Sequence, residues 1–163
     1  MTLDELNGKD RGGFVSAVGS AFEDSPWVAE RAWDRRPFVT LDALHDALSS
    51  VVASATLDEQ LSLLRAHPEL GARTKMSQAS AVEQAGAGLA ALTEDEADRF
   101  RSLNAAYREK FGFPFLYAVK GRTPQDMLNA VERRLTSARD AEHHEALRQV
   151  YRIARFRLED IVS

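Results

Sequence analysis

The apolar positions of this chain recur with a helical period through most of its length. Phe14, Val15, Val18 and Phe22 share one face. Leu41, Leu44, Leu48, Val51 and Val52 mark a longer amphipathic helix with Thr40 as its cap. Leu57, Leu61 and Leu64 stand at i, i+4 and i+7, with Asp58 and Glu59 in the first turn, where they suit the positive helix end. Thr93 with Glu96 reads as a capping box, opening a long helix that carries Phe100, Leu103, Tyr107 and Phe111. Thr123 caps and Pro124 starts a penultimate helix with Met127, Leu128, Val131 and Leu135. A last helix from about Asp140 carries Leu147, Val150, Tyr151, Ala154, Leu158 and Ile161. Two shorter helices are expected. One runs from Trp27 to Trp33 behind Asp24-Ser25-Pro26 and stops at Arg36-Pro37; the other spans Ser80 to Ala85 and ends at Gly86-Ala87-Gly88. Sustained period-two alternation is absent, so the pattern predicts an all-α fold, a single-domain bundle of about seven to nine helices over residues 1–163.

Two stretches interrupt this helical text. The first is His67-Pro68-Glu69-Leu70-Gly71. Pro68 biases His67 away from helical backbone, so the helix should end about there, with Gly71 to Ser77 as a loop. The second is Gly112-Phe113-Pro114-Phe115, followed by the short apolar run Phe115-Leu116-Tyr117-Ala118-Val119. Non-helical backbone in that run leaves N–H and C=O groups in need of partners, which a flat polar ligand supplies as well as a packed core does.

Composition narrows the classes of function. Hydrophobic residues make up 44% and charged residues 28% of 163, an ordinary globular balance. The formal net charge of -4 argues against a nucleic-acid backbone as partner. Cysteine is absent, which excludes disulfides, a CxxC metal site and a thiol nucleophile. No apolar run approaches the ~20 residues of a membrane span, and the charged N-terminus has no signal-peptide core. The C-terminal Asp160-Ile161-Val162-Ser163 is not a peroxisomal tripeptide of the Ser-Lys-Leu kind.

Three polar groupings offer chemistry. His67 is a titratable imidazole that both gives and takes a proton near neutral pH, although a histidine at a helix end also serves as a plain cap. Ser80, Glu83 and Gln84 lie at i, i+3 and i+4 and share a helix face; the same spacing is also a capping box with Ser80 at N-cap and Glu83 at N3. On the last helix Arg155 and Arg157 flank the apolar stripe of Leu147, Ala154 and Leu158. An arginine so placed can bind a carboxylate through two parallel hydrogen bonds, or pair with a nearby acid such as Glu159. Metal binding is weakly supported: His143 and His144 are adjacent on a helix and point about 100° apart.

Taken in order, five motifs form a specific set. They are Phe22-Glu23-x-Ser25-Pro26-Trp27-Val28, His67-Pro68-x-Leu70-Gly71, Ser80-x-x-Glu83-Gln84, Asn104-x-x-Tyr107-x-x-Lys110-Phe111-Gly112-Phe113-Pro114-Phe115, and Arg157-Leu158. The set resembles the OHCU decarboxylase family, which acts on 2-oxo-4-hydroxy-4-carboxy-5-ureidoimidazoline in urate breakdown. The resemblance runs from about Phe14 to Val162. It implies an all-α carboxy-lyase that needs no cofactor and no metal and yields (S)-allantoin. It maps catalytic roles onto His67, Glu83 and Arg157, with Arg155 close enough to compete for the arginine's place. It maps substrate binding onto Pro68, Ser80, Gln84 and the backbone of Phe115, Leu116, Tyr117, Ala118 and Val119. A homodimer is implied as well, and, because peroxisomal members of the family carry a C-terminal targeting tripeptide that this sequence lacks, a cytoplasmic location is expected. The alternatives are a non-catalytic helical binding protein, or a decarboxylase of a related ureido acid.

Overall fold

In the computed structural model, which describes residues 1–72 and 75–163, local capping chemistry sets where helices begin. Nine α-helices are present among the described residues: α1 (Leu3–Asn7), α2 (Arg11–Val18), α3 (Trp27–Ala32), α4 (Leu41–Ala53), α5 (Leu57–Ala66), α6 (Gln78–Gly86), α7 (Glu94–Phe111), α8 (Pro124–Arg134) and α9 (Arg139–Ile161). No strand occurs among those residues, so the all-α expectation holds. No helix among them is long and apolar enough to cross a membrane. The loop expected from Gly71 to Ser77 includes Arg73 and Thr74, which lie outside the described residues.

The chain forms two compact units: Met1–Ala66 with Tyr151–Ser163, and His67–Val150. In the first unit Phe14, Leu44, Leu48, Leu63 and Leu158 are fully buried. Thr40 caps α4 as expected, through a 3.0 Å bond from the Ala43 N–H. At the head of α5, Thr56 and Glu59 exchange bonds of 3.1 and 3.2 Å. The expected cap at Asp24-Ser25-Pro26 takes a different form. The Ser25 hydroxyl turns back to donate to the Glu23 carbonyl at 2.8 Å, and Asp24 sits at a φ of 42°. Helix α1 leaves no trace in the periodicity, because one turn is too short to show it; Thr2 and Glu5 nevertheless form its capping box.

The second unit carries an aromatic cluster. Tyr107 lies 4.6, 5.8 and 5.4 Å from Phe111, Phe113 and Phe115 between ring centroids. Helix α7 ends at Gly112, whose φ of 80° is the left-handed conformation that glycine adopts without a Cβ penalty. The capping boxes of α7 (Thr93, Glu96) and α8 (Thr123, Asp126) form as their spacing suggests. Helix α6 differs from expectation. Its cap is Ser77, which accepts from the Ser80 N–H at 3.1 Å, so Ser80 is the third helical residue and not the N-cap. The capping-box reading of Ser80 and Glu83 therefore fails.

Candidate active site

Helix α5 ends at Ala66, and His67 follows it, 5% exposed, as the proline at 68 requires. The chain then turns through Glu69, Leu70 and Gly71, and polar side chains from two helices fasten that turn. Gln84 on α6 uses both ends of its amide: Oε1 accepts from the Gly71 N–H at 3.1 Å, and Nε2 donates to the Glu69 carbonyl at 3.2 Å. Asn104 on α7 donates through Nδ2 to the Leu70 carbonyl at 2.9 Å. Arg108 adds an exposed ion pair to Glu69 at 3.1 Å. Gly71 takes a φ of +76°, and a Cβ there would lie 3.1 Å from Leu92 Cδ1. Three successive residues of the turn after His67 are thus pinned through a carbonyl or an amide, and the histidine is held by a backbone with little freedom.

Gln84 also brings the turn together with the α6 face expected from the i, i+3, i+4 spacing. Ser80 and Gln84 are buried on that face and Glu83 is half-buried. A cavity of about 650 Å³ lies beside the turn, lined by Glu69, Leu70, Gly71, Leu92, Phe100 and Asn104 among others. None of the residues with expected roles lines it.

The run Phe115–Val119 is non-helical, and all of it but Tyr117 is buried. Its backbone is fixed at two points. Arg134 Nη1 donates to the Leu116 carbonyl at 2.5 Å. Gln149 Oε1 accepts from the Ala118 N–H at 2.9 Å. The Val119 carbonyl is also used, by the Arg122 N–H at 2.9 Å. Among the described residues the N–H groups of Phe115, Leu116, Tyr117 and Val119 have no hydrogen-bond partner. Backbone donors without partners are uncommon in a mostly buried run, and a ligand oxygen is one group that can meet them.

Arg134 is itself built in. Its Nε donates to Glu142 Oε1 at 2.7 Å, and Nη2 lies 2.5 Å from the same oxygen as an ion pair. The Tyr107 hydroxyl donates to that oxygen too, and the Arg134 guanidinium sits 4.5 Å from the Phe115 ring centroid. Burial first, and then the bond to Glu142, push the Tyr107 phenol above its ordinary pKa. Burial likewise pushes the His143 imidazole down, with His144 adding to the effect. Among the described residues no group of three or more His, Asp or Glu is placed to hold a metal ion.

The two candidate arginines belong to the first unit and differ in setting. Arg157 is 6% exposed; its Nη2 lies 2.9 Å from Glu23 Oε2 and its Nη1 donates to the Ser20 carbonyl at 3.0 Å. Arg155 is a third exposed and pairs with Asp42 and with Glu159, the latter at 3.0 Å as its i+4 spacing suggested. Both side chains therefore engage acids.

Sequence reasoning assigned no role to Asn104, Arg134, Glu142 or Gln149. The available signal was a polar residue inside an apolar stripe: Asn104 falls between Phe100 and Tyr107 on the buried face of α7.

The OHCU decarboxylase family model matches residues 7–159 of this chain. The chain is 45% identical over 161 residues to the 2-oxo-4-hydroxy-4-carboxy-5-ureidoimidazoline decarboxylase of Halalkalicoccus jeotgali, covering 99% of this chain and 92% of that protein. It is also 45% identical over 163 residues to the uric acid degradation bifunctional protein PucL of Bacillus subtilis, all of this chain matching 33% of that longer one. A crystal structure of (S)-allantoin synthase superposes with a TM-score of 0.82 at 32% identity, over 99% of this chain and 54% of that one. A structure of OHCU decarboxylase in the presence of (S)-allantoin shares the fold, with a TM-score of 0.72 at 22% identity over 93% and 97% of the two chains. With its family match spanning residues 7–159 and a relative 45% identical over 161 residues, the chain belongs to the OHCU decarboxylase family.

Proposed function

We propose that this chain decarboxylates 2-oxo-4-hydroxy-4-carboxy-5-ureidoimidazoline to (S)-allantoin without a cofactor, and that residues 1–163 work as one catalytic domain. The observation that carries the reading is the clamping of the His67 turn onto α6 by Gln84, on the helix face that also holds Ser80 and Glu83. A buried imidazole in a pinned turn, joined to a helix bearing a hydroxyl and a carboxylate, is a constellation for moving a proton.

Loss of CO2 leaves an electron pair on the former C4. The conjugated C=N of this substrate accepts that pair, so the substrate carries its own electron sink and neither pyridoxal, thiamine nor a metal is needed. His67 manages the proton on the substrate, and Glu83 holds the C4 hydroxyl or fixes the histidine's tautomer. Ser80 and the backbone of Phe115–Val119 bind the polar rim of the substrate, with Pro68 as an apolar wall. Gln84, whose amide is committed to the turn, bears on substrate through that turn. Arg157 receives the anion-binding role and Arg155 the runner-up place; the Arg157-Leu158 pair of the family pattern supports that order.

The enzyme is proposed to be cytoplasmic and homodimeric; sedimentation velocity checks the dimer. For the activity, urate is oxidised and hydrolysed in situ, and circular dichroism follows allantoin with and without the protein after chelator treatment. Rapid growth of optically active allantoin supports the reading. Racemic allantoin at the background rate overturns it.

A further inference from the structure

Two side chains without a role in the proposed chemistry, Arg134 and Gln149, are hydrogen-bonded to the run Phe115–Val119. Arg134 takes the Leu116 carbonyl at 2.5 Å, and Gln149 takes the Ala118 N–H at 2.9 Å. Each anchor is held in turn. Glu142 and Tyr107 fix Arg134, and Gln149 Nε2 donates to Glu145 Oε1 at 2.9 Å. The two anchored groups are two residues apart, and Tyr117 lies between them. Among the described residues the N–H groups of Phe115, Leu116, Tyr117 and Val119 have no hydrogen-bond partner, and those of Tyr117 and Val119 flank the anchored Ala118 N–H. A buried run with no strand neighbour has no ladder to define its pose. These side-chain bonds supply that definition.

We propose that Gln149 and Arg134 are positioning residues for substrate binding: by holding Ala118 and Leu116 they aim the Tyr117 and Val119 N–H groups at oxygens of the ureidoimidazoline substrate. The inference rests on the decarboxylase reading above. It assigns the two side chains to binding and not to the chemical step, because they act only through backbone that contacts the substrate.

Arg134 is a poor place to begin, since its loss leaves Glu142 charged and buried. Gln149→Met removes the acceptor at nearly constant volume. The double change Gln149→Glu with Glu145→Gln restores an acceptor at 149 and a donor at 145, with net charge unchanged. In steady-state assays on substrate generated in situ, Gln149→Met should raise KM about ten-fold, as an unmatched buried donor implies. Its kcat should stay within about three-fold, since the step itself is untouched. Isothermal titration with (S)-allantoin should show the same weakening. The double variant should return KM to within about three-fold of the unmodified protein. A KM that does not move in a folded Gln149→Met protein overturns the inference. So does a raised KM that the double variant fails to rescue, because the acceptor is then not the cause. Absence of turnover in the unmodified protein is a separate result: it overturns the decarboxylase reading itself, and the positioning role with it.

Discussion

Arg157 and Glu23 pair in the interior of the first unit, Nη2 to Oε2 at 2.9 Å, with 6% and 1% of their side chains exposed. The pair fixes the guanidinium in one pose, and Nη1 is spent on the Ser20 carbonyl. Arg155 has no such enclosure; its partners Asp42 and Glu159 are both exposed. The two arginines should therefore separate in both stability and kinetics. Arg157→Ala leaves Glu23 charged and buried and should cost about 3–5 kcal/mol in urea denaturation. Arg155→Ala should cost no more than about 1 kcal/mol. Under conditions where both variants are folded, kcat/KM should fall further for Arg157→Ala. The reverse ranking moves the substrate arginine to Arg155.

Gln84 fastens the turn after His67 by two hydrogen bonds, to Gly71 and Glu69. Gln84→Met should cost about 1–3 kcal/mol, the worth of two amide bonds lost from a part-buried site. Because the turn carries His67, kcat should fall about ten-fold, the scale on which a small misplacement is felt. Thermal denaturation beside steady-state assays measures the two effects. A stability loss with unchanged kcat would mean that the turn does not need its clamp for chemistry.

Gly71 occupies left-handed backbone at a φ of +76°. Gly71→Ala should lose about 1–2 kcal/mol to that conformation, and the 3.1 Å approach to Leu92 Cδ1 adds to it. The denaturation midpoint reads the loss directly. A neutral Gly71→Ala variant would show that the turn relaxes without penalty.

Tyr107 sets an alkaline limit. Its phenol is pushed above the ordinary value by burial and by Glu142. The folded state thus favours the neutral hydroxyl, and the contribution is complete below about pH 10, the unfolded tyrosine value. It is lost as pH rises through and above that value, because the unfolded chain ionises first. Urea midpoints taken from pH 8 upward should fall more steeply for the native protein than for Tyr107→Phe. Parallel curves would contradict the assignment.

Much of this was written locally. Helix ends were legible wherever a cap and its partner lie within three residues, as at Thr40, Thr93 and Thr123. The stop at Ala66 followed from Pro68 alone. Ser77 and Ser80 stand three apart before the same helix, and spacing does not decide which hydroxyl meets an N–H. The anchors of the candidate site were harder to see because they are distant in the chain. Asn104 reaches Leu70 across 34 positions, Gln149 reaches Ala118 across 31, and Arg134 reaches Leu116 across 18. Only packing brings such pairs together, and a polar residue on a buried helix face is the one trace they leave.

The most direct test compares the native chain with His67→Ala on freshly generated ureidoimidazoline, following optically active allantoin by circular dichroism. His67→Ala should keep the far-ultraviolet spectrum of a folded helical protein and lose about a hundred-fold or more in kcat, the usual share of a positioned acid or base. A folded His67→Ala protein with near-native turnover would contradict the account at its centre.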